Sequence, residues 1–131
     1  MTVVLAHVPN PAAEAAFTAA LEQAVFRGSD IVLVNATKGD ALVDPHFASA
    51  EALDALQERA STAGVRLSVE RPVDPDIPGA VLAAAGRHRA SVIVIGIRHR
   101  SAVGKFLLGS DAQRILLDAD CQVLAVKAPA A

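Results

Sequence analysis

The sequence contains no tryptophan and no tyrosine, and it has only four phenylalanines among its 131 residues. Aliphatic side chains and alanine must therefore fill any core. With 53% hydrophobic and 20% charged residues, the composition is that of a globular protein and not of a disordered one. The single cysteine excludes an internal disulfide and a zinc site built from cysteines.

Long hydrophobic runs and an excess of one charge are also missing. No apolar run approaches the roughly 20 residues of a spanning helix, and the N-terminus lacks a basic segment followed by an apolar one. The net charge of -2 argues against general binding to nucleic acid or to a membrane surface. A chain of this length fits one domain. We therefore expect one cytoplasmic domain over residues 1–131, with no nucleic-acid or membrane partner.

Five short aliphatic runs alternate with longer alanine-rich segments that have helical spacing. The runs lie near residues 2–8, 30–36, 65–70, 91–96 and 122–127. Continuous apolar runs indicate strands buried on both faces, as in a parallel sheet covered by helices. The alternation predicts a doubly wound α/β domain with five parallel strands and helices on both faces. The first strand should be central, because it and the fourth strand are fully apolar.

Capping signals predict where the four helices begin or end. Gly28 ends the first helix, and Asp44-Pro45 supplies an N-cap and a first helical residue for the second. Asp76 caps the third helix. Ser110, with Gln113 three residues later, forms a capping box that opens the fourth.

In open α/β sheets, ligands bind beyond the carboxyl ends of the strands where the strand order reverses. The segment from Gly96 to Ser110 follows the fourth strand, contains three glycines and ends at a helix N-terminus. Glycines permit close backbone approach, and helix N-termini attract anions, so this segment predicts a phosphate cradle. The stretch from Ile77 to Ser110 has no acid, yet it carries five cations, namely Arg87, Arg89, Arg98, Arg100 and Lys105. The first two are interpreted as a solvated helix end, whereas the last three either bind phosphate or are solvated.

At this segment the sequence resembles the universal stress protein family. The family motif is Gly-x-x-Gly, nine residues, then Gly-Ser or Gly-Thr after the fourth strand, and Gly96, Gly109 and Ser110 have that spacing. The length, the order of elements and the last strand also fit, so the resemblance covers the whole chain. It implies a Rossmann-like five-stranded parallel sheet in the order 3-2-1-4-5, commonly in a dimer.

The resemblance also implies a site for ATP or another adenine nucleotide, in which the motif wraps the phosphates and the ribose. Asn35 and Ala36 would lie near the base, and His7 would border the same cleft. The full set of implied residues is His7, Asn35, Ala36, Gly96, Arg98, His99, Arg100, Ser101, Gly109 and Ser110, with Lys105 as a further cation.

Two departures from the family pattern fall on this pocket. His99 replaces the second glycine of Gly-x-x-Gly, and Val8 stands where the ATP-binding members usually carry an aspartate. A side chain at position 99 either blocks the backbone approach that glycine permits or hydrogen-bonds a phosphate in its place. The site is therefore predicted to be degenerate and to bind the nucleotide weakly.

The leading interpretation is a non-catalytic stress-response binding protein. No acid lies on the motif loop to hold Mg²⁺ or to act as a base, so no catalytic residue is predicted. His7 and His99 lack further ligands, and His46 is assigned to an exposed first turn of the second helix, so no metal site is predicted.

The alternative interpretation is a dimeric interaction module that binds no nucleotide. The fifth strand is apolar, and at a sheet edge it would expose unpaired backbone groups. The family resemblance implies that a second copy covers this strand at Val123, Leu124, Ala125 and Val126. Both interpretations include the homodimer, and they differ in whether the cleft holds a ligand.

Overall fold

The computed structural model describes residues 1–39, 44, 46–97 and 108–128. The strands are β1 (Thr2–Ala6), β2 (Asp30–Val34), β3 (Leu67–Glu70), β4 (Ala90–Ile97) and β5 (Gln122–Lys127), and the helices are α1 (Ala13–Arg27), α2 (Ala50–Thr62), α3 (Ile77–Arg87) and α4 (Ser110–Asp118). No helix in these ranges is both long and apolar enough to cross a membrane.

The five strands form one parallel sheet in the order β3-β2-β1-β4-β5. Both the parallel topology and the central position of β1 are therefore confirmed. Val3, Val4 and Leu5 are each 0% exposed, because helices cover both faces of the central strand. Side chains of α1 and α2 pack with Val3 and Leu5 on one face, and those of α3 and α4 pack with Val4 on the other.

Two of the predicted helix boundaries are confirmed. Gly28 follows α1 with a φ of 63°, the left-handed conformation that glycine adopts without strain, and its N–H bonds the carbonyls of Ala24 and Val25. The side chain of Asp76 accepts a hydrogen bond from the backbone N–H of Gly79 and caps α3. These two residues fix how the chain leaves α1 and enters α3.

The predicted start of the second helix at Asp44-Pro45 is wrong. The N-cap of α2 is Ser49, whose hydroxyl accepts the N–H of Ala52 at 3.1 Å. Asp44 instead accepts the backbone N–H groups of Lys38 and His46, so its carboxylate organises a local turn. Aspartate serves both purposes equally well, which is why the sequence pattern suggested a helix cap. Pro45 lies outside the described residues.

The predicted capping box at Ser110 is also wrong. Gly109 is the N-cap of α4, with extended backbone angles and no side-chain cap bond, and Ser110 is already the first helical residue. The carbonyl of Gly109 accepts the N–H of Gln113 at 2.9 Å, which is the first hydrogen bond of the helix. The N-cap residue of α4 is a glycine, so it has no side chain with which to cap the first N–H groups of the helix.

Candidate functional site

A cleft opens at the carboxyl ends of β1, β2 and β4, where the chain turns to opposite sides of the sheet. It encloses about 600 Å³ of space free of protein atoms, open solvent at its mouth included. The space inside it that a water molecule can reach is only about 70 Å³, which is below the roughly 300 to 1,000 Å³ of most small-molecule sites. Fifteen residues line it, namely Ala6, His7, Val8, Asn10, Ala13, Ala16, Val34, Ala36, Ile77, Val81, Ile95, Gly96, Asp111, Ala112 and Ile115.

The deep walls of the cleft are small and apolar. Val34 and Ile95 are the last buried side chains of β2 and β4, while Ile77 of α3 and Ile115 of α4 close the other side. Alanine side chains lie between them, so the walls leave a smooth slot. Such a slot suits a flat, uncharged ring, since apolar contact does not require matched hydrogen bonds at every edge.

Two helix N-termini border the same cleft. Ala13 is the first residue of α1, and Asp111 and Ala112 lie in the first turn of α4. Neither helix has a side-chain cap bond at its N-cap residue. The N–H groups of Ala12 and Ala13 at α1 already donate to the side-chain and main-chain oxygens of Asn10. The positive ends of two helix dipoles nevertheless border one volume, which is an arrangement that favours an anion.

Gly96 lets the loop between β1 and α1 close against the end of β4. A Cβ atom on Gly96 would lie 2.9 Å from the Cβ of Ala12 and 3.2 Å from its carbonyl oxygen. Real Cβ atoms do not approach other carbons that closely, so any side chain at this position would push Ala12 outward. The missing side chain sets the spacing between β4 and the N-terminus of α1 at the cleft.

His7 borders the cleft from the end of β1 and is 8% exposed. Among the described residues, its Nδ1 atom is buried without a hydrogen-bond partner. Burial lowers the pKa of this imidazole from its ordinary value, because the charged form would lose its hydration. His7 therefore presents a neutral ring at neutral pH.

The chain matches the model of the universal stress protein family over residues 1–127. It belongs to that family. A universal stress protein of Mycolicibacterium smegmatis is 39% identical over 125 residues, which cover 95% of this chain and 96% of that protein. The expected family membership is thereby confirmed.

Solved universal stress proteins share the fold. One from Archaeoglobus fulgidus has a TM-score of 0.79 at 27% identity and covers 96% of this chain and 97% of its own. Another, solved in complex with cAMP, has a TM-score of 0.76 at 19% identity and covers 98% of each chain. At 19% identity, the similarity to the cAMP complex shows a shared fold and no more.

The structure brings together some of the residues that the family motif implies. His7, Ala36 and Gly96 line the cleft, and Gly109 and Ser110 lead directly into Asp111 at its rim. Four implied residues of the motif loop, together with Lys105, lie outside the described residues, namely Arg98, His99, Arg100 and Ser101. Val8, in place of the family's aspartate, lines the cleft as an apolar side chain.

Asn35 lies behind the cleft wall and not on its lining. Its side chain is 0% exposed and its amide nitrogen donates to the carbonyls of His7 and His46, at 3.1 and 2.6 Å. Its amide oxygen accepts the N–H of Ala48 at 3.1 Å and a guanidinium N–H of Arg71 at 3.3 Å. The side chain thus holds the 46–48 segment against the end of β1.

Sequence reasoning missed the carboxylate of Asp111. It lies on the lining of the cleft with a half-exposed side chain, and its Oδ2 atom is 3.8 Å from Nε2 of His46. The signal in the sequence was its place directly after the acid-free stretch, in the first turn of the predicted fourth helix. Among the cleft-lining residues that the structure describes, this is the one formal negative charge.

Proposed function

We propose that this chain is a non-catalytic, stress-associated binding protein that holds an adenine nucleotide weakly in the cleft. The observation that carries the proposal is an apolar slot that is bordered by the N-termini of two helices. The cAMP-bound relative supports the ligand class, because it has the same fold and its ligand is an adenine nucleotide. We also propose that residues 1–131 act as one domain, in the cytoplasm.

The base of the nucleotide would enter the slot between the ends of β1, β2 and β4. Ala36 and Val34 would contact one face of the ring, with Ile115 opposite. Burial of the apolar surface of the base would contribute to the free energy of binding at about 25 cal/mol per Å². Neutral His7 would add a polar edge without adding charge.

The phosphates would lie between the N-termini of α1 and α4. Gly109 and Ser110 would offer backbone N–H groups and a hydroxyl there, and Arg98, Arg100 and Lys105 of the motif loop would supply positive charge. The carboxylate of Asp111 opposes this arrangement by direct repulsion. The weak affinity that we propose follows from that repulsion and from the apolar Val8 at the end of β1.

The first experiment asks whether a nucleotide binds at all. Protein without tryptophan or tyrosine absorbs little in the near ultraviolet, so a co-purified adenine nucleotide would dominate the absorbance spectrum. Calorimetric titration with ATP and with adenosine, in the presence of a chelator, then gives the affinities. We expect weak binding of both, with the ATP affinity falling as the salt concentration rises.

Asp111→Asn is expected to strengthen ATP binding about fivefold in the chelated buffer and to leave adenosine binding unchanged. Removing one negative charge next to the phosphates is worth roughly 1 kcal/mol at a partly exposed site. Asp118→Asn is the matched control, because Asp118 lies on the same helix with similar exposure and pairs with Arg114, away from the cleft lining. If neither wild type nor Asp111→Asn binds ATP or adenosine, the nucleotide proposal is wrong and the interaction module remains.

We further propose a homodimer in which β5 of one copy covers β5 of the other. β5 is the outer strand of the sheet, and its four apolar residues, Val123 to Val126, all remain partly exposed. Leu117 of α4 adds an apolar side chain that is 74% exposed. A long apolar edge of this kind pairs readily with a second chain.

Leu124→Lys is expected to convert the dimer into monomers, because it buries an unpaired charge in the interface. Light scattering at micromolar protein concentration measures the mass, and circular dichroism checks that the variant is folded. Val73→Lys serves as the control, since Val73 is also apolar and exposed. Val73 pairs with Thr37 beyond the ends of β3 and β2, which lie at the other edge of the sheet from β5. A wild-type mass of 13.5 kDa would refute the dimer.

A further inference from the structure

His46 lies between two carboxylates that come from different parts of the chain. Its Nδ1 atom is 2.9 Å from Oδ1 of Asp44, and its Nε2 atom is 3.8 Å from Oδ2 of Asp111. Asp44 belongs to the segment after β2, whereas Asp111 lies in the first turn of α4 and lines the cleft. The imidazole therefore spans the gap between two elements at the rim of the cleft.

The two protonation states of this imidazole meet the carboxylates differently. A protonated ring carries an N–H group on both nitrogens, so it attracts both carboxylates at once. A neutral ring has one donor and one acceptor, so it can serve only one carboxylate and turns a lone pair toward the other. A single proton therefore decides whether Asp44 and Asp111 are joined through His46.

Asp44 is the better fixed of the two partners. Its carboxylate also accepts the backbone N–H groups of Lys38 and His46, and its side chain is 4% exposed. The side chain of Asp111 is 49% exposed, and its distance of 3.8 Å suits an ion pair but is too long for a hydrogen bond. Asp111 is therefore the partner that a neutral ring releases.

The main chain that carries His46 is held in place from behind. The side chain of Asn35 bonds the carbonyl of His46 and the N–H of Ala48. Arg71 donates to the carbonyl of Ala48, and its guanidinium lies 4.3 Å from the centroid of the Phe47 ring. None of these contacts uses the imidazole, so the ring can change its charge while its backbone stays anchored.

Few charged groups surround this imidazole. Within the part of the chain that the structure describes, Asp44 and Asp111 form ion pairs with His46 alone. The cation Arg71 packs against the 46–48 segment, and Lys38 reaches Asp44 through its backbone N–H. Lysine, arginine and aspartate ordinarily keep one charge state between pH 5.5 and 8, whereas histidine changes its charge in that range. The proton on the ring is therefore the variable of this cluster.

We propose that His46 is a proton-dependent tie at the rim of the cleft. The protonated imidazole joins Asp44 to Asp111 and so holds the segment after β2 against the N-terminus of α4, and the neutral imidazole releases Asp111. An ordinary imidazole takes up its proton below about pH 6.5. The ion pair with Asp111 therefore stabilises the fold at acidic pH, and this contribution is lost as the pH rises. The tie requires no ligand.

The same proton changes the charge that the cleft presents to a nucleotide, an extension that rests on the function proposed above. Asp111 is the one formal negative charge among the described lining residues, and a protonated His46 offsets it. An anionic nucleotide should therefore bind more tightly at pH 5.5 than at pH 8. The probe is cAMP, because its phosphodiester keeps a single negative charge over this range, and adenosine is the uncharged control.

A double-mutant cycle on the nucleotide-free protein tests the tie. Urea unfolding of the wild type, His46→Gln, Asp111→Asn and the double variant, at one protein concentration, gives the coupling between the two side chains. At pH 5.5 we expect a coupling factor of about two to five in the unfolding equilibrium constant, as for other partly exposed ion pairs. At pH 8 we expect no favourable coupling.

A cycle of His46→Gln with Asp118→Asn is the matched control. Asp118 lies on the same helix as Asp111 with similar exposure, but it pairs with Arg114. It should show no coupling to His46 at either pH.

Calorimetric titration then tests the link to the cleft. The wild type should bind cAMP about two- to fivefold more tightly at pH 5.5 than at pH 8 and adenosine equally at both, whereas His46→Gln should bind cAMP equally at both. His7 is present in both proteins, so the difference between them reports His46. His88→Gln should keep the wild-type pH dependence, because His88 pairs with Glu70 away from the cleft lining.

The tie is refuted by a His46–Asp111 coupling that is absent at pH 5.5 or equally strong at pH 8. The link to the cleft is refuted by a pH dependence of cAMP binding that survives in His46→Gln. Because the cycle needs no nucleotide, a protein that shows the coupling but binds neither cAMP nor adenosine would reject the nucleotide function and leave the tie standing.

Discussion

Phe17→Ala is expected to lower the free energy of unfolding by about 3 to 5 kcal/mol. Phe17 is 0% exposed and is the largest fully buried side chain among the described residues. It lies between α1 and the sheet in a core otherwise built from aliphatic side chains and alanine, which cannot expand to fill a cavity of its size. Arg59 stacks 4.7 Å from its ring centroid, and the bonds from Arg59 to Glu14 hold that contact in place.

Urea unfolding followed by circular dichroism measures this loss, at a fixed protein concentration so that any dimer contributes equally. Phe26→Ala is the matched control, since Phe26 lies on the same helix but is 86% exposed. It should change the stability by less than about 0.5 kcal/mol. Equal losses at the two positions would mean that α1 does not pack as described.

The parallel sheet and its central strand could be predicted because each rests on a pattern that extends over many residues, whereas the full strand order came from the family resemblance. Uninterrupted apolar runs mark the central strands, and the helical spacing marks the faces that cover them. The errors fall at single residues. Asp44 and Ser49 are both good helix caps, and only the hydrogen bonds from Lys38 and His46 decide that Asp44 shapes a turn instead.

The candidate site was predictable in part for a similar reason. The glycine motif is a local property of the chain, and it led correctly to Gly96 on the cleft lining and to Gly109, two residues before Asp111 at the rim. The approach of His46 to Asp111 joins positions that are far apart in the sequence, and it depends on where α2 begins. If the second helix started at Pro45, His46 would be an exposed helical residue. The sequence analysis made that assumption and therefore did not predict that His46 lies near Asp44 and Asp111.

A sequence pattern also does not predict the direction in which a polar side chain points after the end of a strand. Position 35 could be assigned to the cleft end of β2, yet the pattern does not say which way the amide turns. The structure turns it inward, where it can satisfy four partners at once. Asparagine suits this position because its side chain has two N–H donors and an acceptor oxygen, whereas the neighbouring residues Val34 and Ala36 are apolar.

Asn35→Ala is therefore expected to destabilise the protein by about 2 to 4 kcal/mol, since it leaves several buried backbone groups without partners. The carbonyls of His7 and His46 lose their donor, and the N–H of Ala48 loses its acceptor. The 46–48 segment would also loosen from the end of β1. Urea unfolding followed by circular dichroism measures the loss of stability.

Asn10→Ala is the control for this prediction, because Asn10 is exposed and, within the described part of the chain, its side chain makes one hydrogen bond, which it accepts from the N–H of Ala12 at 2.8 Å. Asn10→Ala should lower the free energy of unfolding by about 1 kcal/mol or less. Asn35→Asp sharpens the test, because it keeps the volume of the side chain and its acceptor but removes both donors. Aspartate would place a carboxylate against the carbonyls of His7 and His46, so a cost at least as large as that of alanine is expected. An aspartate variant as stable as the wild type would show that these carbonyls do not depend on Asn35, and the anchoring of His46 would then need another explanation.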